Sequence, residues 1–262
     1  MKFVQKDPKR TSNIAVIFNC LKQFSDTVSL RFSEEGIYVQ GLDGSHVSLF
    51  EWKLTPSWFT EYEWDGDEDS GLESVHTGIM HKVISMFQQD QTMIMEINGS
   101  DKLSLSFTNG KDTCDKHFEL PLIDVDNEIM TIPEKDSDID LIISSKKFSD
   151  LVSQFEIFDS TMSFKFSDED IIMKASGMDG SMTASMSLDD VTEFAMAEDK
   201  DIIKQSFALR YIRMMSNFSK ISNETIMEFT VGAPMTLKYD MAENSYIKFY
   251  LAPKMDFDDD EE

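Results

Sequence analysis

The chain has 262 residues, 41% of them hydrophobic, and a net charge of −25. That length buries a core as one large domain or as two of about 130 residues. No apolar run approaches the roughly 18–20 residues of a membrane span, the stretch Met1 to Asp7 lacks a signal-peptide core, and the acidity taken alone disfavours nucleic acid, whose phosphates repel a polyanion.

In chain order, Ile14, Ile17, Phe18, Leu21 and Phe24 recur at helical spacing and predict a helix over 9–24. Alternating patterns predict strands at 27–33, 36–41, 46–54 and 60–64. A second helix spans 77–89, with Ile79, Val83 and Met86/Phe87 on its buried face. Strands at 92–98, 102–108 and 114–120 complete the first half. Residues 121–138, with Pro121, Pro133 and several acids, read as an extended connector. The order then restarts: a strand at 139–143, a helix at 146–157 buried through Phe148, Leu151, Val152 and Phe155, and strands at 161–167, 170–176, 181–187, 192–198 and 202–206. A helix at 209–221 and strands at 225–231, 235–241 and 246–251 follow. The short hairpin connections make this α+β with antiparallel sheets. The expected division is a first domain over 1–120, the connector at 121–138, a second domain over 139–255, and a solvated acidic tail over 256–262.

A repeated phrase supports two like-folded halves. Gly41-Leu42-Asp43-Gly44-Ser45 returns as Gly177-Met178-Asp179-Gly180-Ser181, and Phe32-Ser33-Glu34-Glu35 returns as Phe166-Ser167-Asp168-Glu169.

The acids are unevenly spread. The stretches 8–25, 74–89 and 202–223 contain none, each includes a predicted helix, and together they carry Lys9, Arg10, Lys22, Lys82, Lys204, Arg210, Arg213 and Lys220. Arg210, Arg213, Asn217 and Lys220 form one stripe at helical spacing, beside an apolar face of Phe207, Tyr211, Met214 and Phe218. A plain solvated face accounts for basic side chains, but such a face mixes signs. A face kept free of acids on an acidic protein points to an anionic partner, and a nucleic-acid backbone contacted without sequence specificity fits.

Catalytic signals are missing. There is no P-loop, dinucleotide fingerprint or zinc-binding spacing, and His46, His76, His81 and His117 are scattered. Gly44-Ser45-His46 is no hydrolase motif if it lies on a strand, where neighbours point to opposite faces. The cysteines, Cys20 and Cys114, lack metal-ligand spacing and read as reduced intracellular thiols. No enzyme activity, metal or cofactor is expected.

Several phrases resemble one family. Gly41-Leu42-Asp43-Gly44-Ser45-His46-Val47-Ser48-Leu49 is similar to the M-D-S-S-H-V-S-L segment of proliferating cell nuclear antigen, the eukaryotic sliding clamp. Phe207-Ala208-Leu209-Arg210-Tyr211 matches its F-A-L-R-Y, Tyr250-Leu251-Ala252-Pro253-Lys254 its Y-L-A-P-K terminus, and Ile132-Pro133 the end of its connector. The marks fall in the family's order across nearly the whole chain, while the stretches between diverge, as in a distant or viral member.

The resemblance implies two similar DNA-clamp domains, with antiparallel sheets outside and helices lining the inner face, usually assembled as a homotrimeric ring around double-stranded DNA. It implies DNA contacts by Lys9, Arg10, Lys22, Lys82, Lys146, Lys147, Arg210, Arg213 and Lys220. It implies a pocket under the connector for a hydrophobic plug carried by DNA polymerase and other partners, at Leu42, His46, Val47, Leu49, Ile132, Pro133, Pro234, Leu251, Ala252, Pro253 and Lys254. Against that, Val47, Leu49 and Pro234 equally suit a packed strand interface. A clamp loader and a nuclear or viral replication site are implied as well, with no membrane. The chain departs from the family at Ala15 and Val16, where lysines are usual, at Asp150 and Ser153, and at Asp168, which replaces the lysine commonly modified by ubiquitin. Strands near 114–120 and 181–187, which the family joins at its ring interface, match little. This keeps open a subunit of a heterotrimeric checkpoint-type clamp, or a monomeric or dimeric viral processivity factor.

Overall fold

The computed structural model describes residues 1–66, 72–97, 99, 101–125, 129–133 and 135–254. The predicted acidic tail, parts of the connector and the last residue of the 92–98 strand lie outside the described residues. The chain divides into two compact units, Met1–His46 with Phe50–Thr131 and Met241–Ile247, and Val47–Leu49 with Ile132–Asp240 and the chain from Lys248 onward. Each unit therefore takes in a short segment from the other half of the sequence.

The first half runs β1 (Lys2–Gln5), α1 (Pro8–Leu21), β2 (Thr27–Ser33), β3 (Gly36–Leu42), β4 (Ser48–Leu54), β5 (Glu61–Glu63), β6 (Leu72–His76), α2 (Thr77–Ile84), β7 (Thr92–Glu96), β8 (Lys102–Thr108) and β9 (Lys116–Pro121). The second runs β10 (Ile139–Ser144), α3 (Ser145–Phe155), β11 (Thr161–Phe166), β12 (Asp170–Gly177), β13 (Gly180–Ser187), β14 (Glu193–Met196), β15 (Ile203–Ala208), α4 (Leu209–Ser216), β16 (Glu224–Phe229), β17 (Met235–Asp240) and β18 (Tyr246–Leu251). The two orders are the same, element for element. So is the pairing: β5-β1-β7-β8-β9 corresponds to β14-β10-β16-β17-β18, and β6-β2-β3-β4 to β13-β12-β11-β15 read in reverse. The fold is α+β and duplicated.

Two strands lie outside the predicted pattern. β1 has four residues and pairs on both sides, with β5 and β7. β6 pairs with β2 from Thr27↔His76 to Arg31↔Leu72. The helices also stop earlier than periodicity predicts. After Leu21 the backbone tightens, with Gln23 N–H bonding Cys20 O and Phe24 N–H bonding Leu21 O; after Ile84, Met86 and Phe87 do the same. α4 gives way to a 3₁₀ turn over Asn217–Lys220.

The cores are aromatic. In the first unit Phe3 stacks on Phe32 at 5.2 Å, with Phe59 and Tyr62 against it. In the second, Phe164, Phe166 and Phe207 surround Phe229. The repeated phrase sits at equivalent hairpins but turns differently. In the second copy Gly177 pairs with Gly180, whose φ of +136° needs glycine, and Met178 lies at the exposed tip. In the first, Asp43 is buried and its carboxylate accepts the Ser45 N–H at 2.8 Å. His46 follows with φ of 57°. Gly44-Ser45-His46 thus lies in a turn, not on the predicted strand.

Candidate nucleic-acid and partner-docking surfaces

A helix is favoured by acids in its first turn, where the peptide dipoles leave partial positive charge, and disfavoured by cations there, by about 0.3–1 kcal/mol each. None of the four helices has an acid in its first turn. Three instead place cations near the start: Lys9 and Arg10 in α1, Lys146 and Lys147 in α3, Arg210 in α4. In a chain of net charge −25 this runs against both composition and helix electrostatics.

In the first unit, Asp7 caps α1 by accepting the Lys9 and Arg10 N–H groups at 2.8 and 3.2 Å. The helix buries Thr11, Ile14, Ile17, Phe18 and Leu21, leaving Lys9 exposed and, past its end, Lys22 and Gln23. Arg10 is different. Its guanidinium donates to Trp58 O at 2.7 Å and Ser57 O at 3.2 Å, pairs with Glu243 at 3.1 Å, and lies over the Trp58 ring. It straps α1 to the 3₁₀ turn Pro56–Trp58 and to the Met241–Ile247 segment, so it is set apart from the other lining candidates.

α2 corrects an expectation. Its buried residues are Thr77, Met80, Val83 and Ile84, whereas Ile79 is 40% and Met86 48% exposed. Packing against α1 turns the helix by one residue relative to the predicted stripe; the half-buried His81 places Nδ1 3.2 Å from Ala15 O. Lys82 is exposed.

In the second unit, α3 buries Phe148, Val152 and Phe155. Lys146 and Lys147 are exposed, the first 3.7 Å from Asp150 and the second donating to Asp190 O at 3.5 Å. On α4 the predicted stripe faces out: Arg210 and Lys220 are exposed, Arg213 and Asn217 half-buried. Arg210 lies 4.5 Å from the Tyr211 ring centroid and donates to the phenol, and Arg213 pairs with Glu156 at 3.2 Å.

The predicted docking residues fall in both units, and each set is described by itself. In the first, Leu42 is half-buried at the end of β3 and His46 is exposed. In the second, Val47, Ile132, Ala252 and Pro253 are half-buried, and Pro133, Pro234 and Lys254 exposed. The Ala252 N–H bonds Val47 O at 3.1 Å and the Lys254 N–H bonds Ser206 O at 2.7 Å, which fixes the terminal segment along this unit. The Lys254 ammonium also reaches the Thr161 hydroxyl. Two expectations change. Leu251 is wholly buried, in register with Ile247 and Phe249, and Leu49 is 8% exposed, so their side chains belong chiefly to the core. Val231, which the predicted strand over 225–231 would alternate inward with Met227 and Phe229, is 57% exposed, because β16 ends at Phe229 and leaves it in the loop before Pro234.

The first unit also holds a polar cluster that no local pattern signals. The Tyr38 phenol donates to Glu51 Oε2 at 2.8 Å and accepts from Gln40 Nε2 at 3.2 Å. Burial first, then the bond to Glu51 and its charge, push the Tyr38 phenol well above its ordinary range; burial and the same carboxylate raise Tyr246 to about 12. Finally, β9 and β13 each end a sheet as edge strands, the first at Lys116–Pro121 and the second at Gly180–Ser187.

Two like-folded α+β units, whose helices carry no acid in the first turn and whose sheet edges include β9 and β13, define a duplicated fold. The profile of the proliferating cell nuclear antigen N-terminal domain matches residues 8–129, and that of its C-terminal domain residues 131–254. The chain belongs to the proliferating cell nuclear antigen family. Similar proteins include proliferating cell nuclear antigen 1 of Plasmodium falciparum, 26% identical over 260 residues, covering 93% of this chain and 94% of that one. Proliferating cell nuclear antigen 2 of Drosophila melanogaster is 27% identical, covering 91% and 92%, and the Caenorhabditis elegans protein 26%, covering 87% and 88%.

Proposed function

We propose that this chain is a DNA sliding clamp and polymerase processivity factor. The observation that carries the reading is the absence of acids from the first turn of all four helices, with cations there in three of them, on a strongly acidic protein. Lys9, Lys22, Lys82, Lys146, Lys147, Arg210, Arg213 and Lys220 make weak, mobile contacts to phosphates. Weak contacts suit the task, because tight ones would stop sliding. The acidic remainder of the surface keeps DNA from unproductive contact.

Three copies close a ring, β9 of one chain adding to β13 of the next, since each is an unoccupied edge in its own sheet. A ring threaded on duplex DNA cannot leave sideways, and it holds a polymerase at high effective concentration near the primer end. Polymerase and other clients dock a hydrophobic plug on the second unit's Val47, Ile132, Pro133, Val231, Pro234, Ala252 and Pro253. A loader opens the ring onto DNA, in the nucleus or at a viral replication site, with Cys20 and Cys114 as reduced thiols.

The decisive test is mass in solution at moderate salt and micromolar concentration. A trimer is expected. A stable monomer or dimer overturns the ring and favours a processivity factor of the monomeric or dimeric kind. Assembly only with other clamp subunits favours the checkpoint-type alternative.

A further inference from the structure

The connector enters the second unit at Ile132, a proposed docking residue, and two residues earlier, within the first unit, the Gln40 side chain holds Met130. Gln40, half-buried on β3, accepts the Met130 N–H through Oε1 at 2.7 Å and donates to Met130 O through Nε2 at 3.0 Å. This is the two-bond exchange of an antiparallel strand pair, made by an amide side chain. Met130 lies in no helix or strand. Both it and Ile129 expose their side chains, at 47% and 42%.

The amide can face only one way. Nε2 has two protons; one goes to Met130 O and the other to the Tyr38 oxygen at 3.2 Å. Tyr38 accepts there because its own proton is given to Glu51 at 2.8 Å. Glu51 is 91% buried in β4 and so is held in place. Turning the amide over would set Oε1 against the Tyr38 oxygen and Met130 O, and Nε2 against the Met130 N–H. The line from Glu51 through Tyr38 to Gln40 therefore fixes which atoms meet the connector.

We propose that Gln40 is a positioning residue for plug docking: it clamps Met130 so that this residue is held in place before a partner arrives, and thereby sets affinity for the plug. The inference rests on the docking reading above. An unpinned Met130 must be ordered when the partner binds, which costs affinity without removing any contact to the partner.

The test uses the full chain, a synthetic peptide carrying two aromatic residues on a 3₁₀ turn, and the variants Gln40→Leu and Gln40→Glu. Peptide affinity is measured by fluorescence anisotropy, amide exchange at Met130 by NMR or mass spectrometry, and folding by thermal unfolding. Gln40→Leu is expected to weaken binding about tenfold, as for loss of roughly two net hydrogen bonds. Met130 exchange should quicken while the unfolding midpoint holds. Gln40→Glu should weaken binding at least as much, since a carboxylate has no N–H for Met130 O or Tyr38. Wild-type binding with unchanged affinity in both variants overturns the inference alone. Failure of the wild type to bind, while Met130 exchange still quickens in the variants, overturns the docking reading and this use of it together. Should Gln40→Leu fail to fold, Tyr38→Phe keeps the ring and removes the hydroxyl; unchanged Met130 exchange and affinity there would sink the proposal.

Discussion

The helix pairs of the two units carry their cations under different terms. α1 and α2 contain no acid, and Lys9, Lys22 and Lys82 make no ion pair within the described residues. The second pair is richer in cations, but α3 supplies Asp150 against Lys146, and its C-cap Glu156 holds Arg213. Arg10 in the first pair is spent on carbonyls and Glu243. A count of basic residues therefore misjudges what each unit offers an anion; the partner already held by each cation decides its availability.

Measuring the salt dependence of short-duplex binding would sharpen this contrast, because each phosphate contact contributes about 0.9 to the slope of log K against log salt. The largest change is expected from Lys9→Ala, Lys22→Ala and Lys82→Ala combined, a slope reduced by about 2–3. Arg210→Ala, Arg213→Ala and Lys220→Ala combined should remove about 2, since Arg213 is partly neutralised already. Equal losses, or a larger loss from the second set, would break the comparison. Glu156→Gln is expected to act in the opposite direction, steepening the slope by up to about 1 as Arg213 is released; no change would mean that the pair is too solvated to matter. The slope should move least with Arg10→Met. That variant should instead lose roughly 1–2 kcal/mol of unfolding free energy, from bonds to the Trp58 and Ser57 carbonyls. A change in DNA slope without a loss of stability would return Arg10 to the lining.

Much of this frame is legible in the chain itself. β2, β8 and β18 follow alternation and turn residues closely, and the acid-free stretches mark three of the four helices. The second-unit stripe of Arg210, Arg213, Asn217 and Lys220 points outward as its spacing implies. What failed was decided by distant contacts. α2 is only eight residues long, and both Ile79/Val83/Met86 and Met80/Val83/Ile84 fit a helical face; its contact with α1 selects the second. β1 has too few residues for a period to register, and its neighbours β5 and β7 define it. Leu251 alternates with Ile247 and Phe249, which places it inward, whereas the family's terminal motif points to the surface. Gln40 and Met130 are ninety positions apart, and nothing local ties them.

The edge strands β9 and β13 have a genetic consequence. β9 and β13 are different surfaces, so the proposed seam is head-to-tail, and a chain with one spoiled edge still offers the other to its neighbours. Such a chain enters assemblies with normal copies and leaves them open. A substitution confined to the outer face of β13 should therefore behave as a dominant allele when both forms are expressed, whereas a core substitution that unfolds the chain removes only itself and should be recessive.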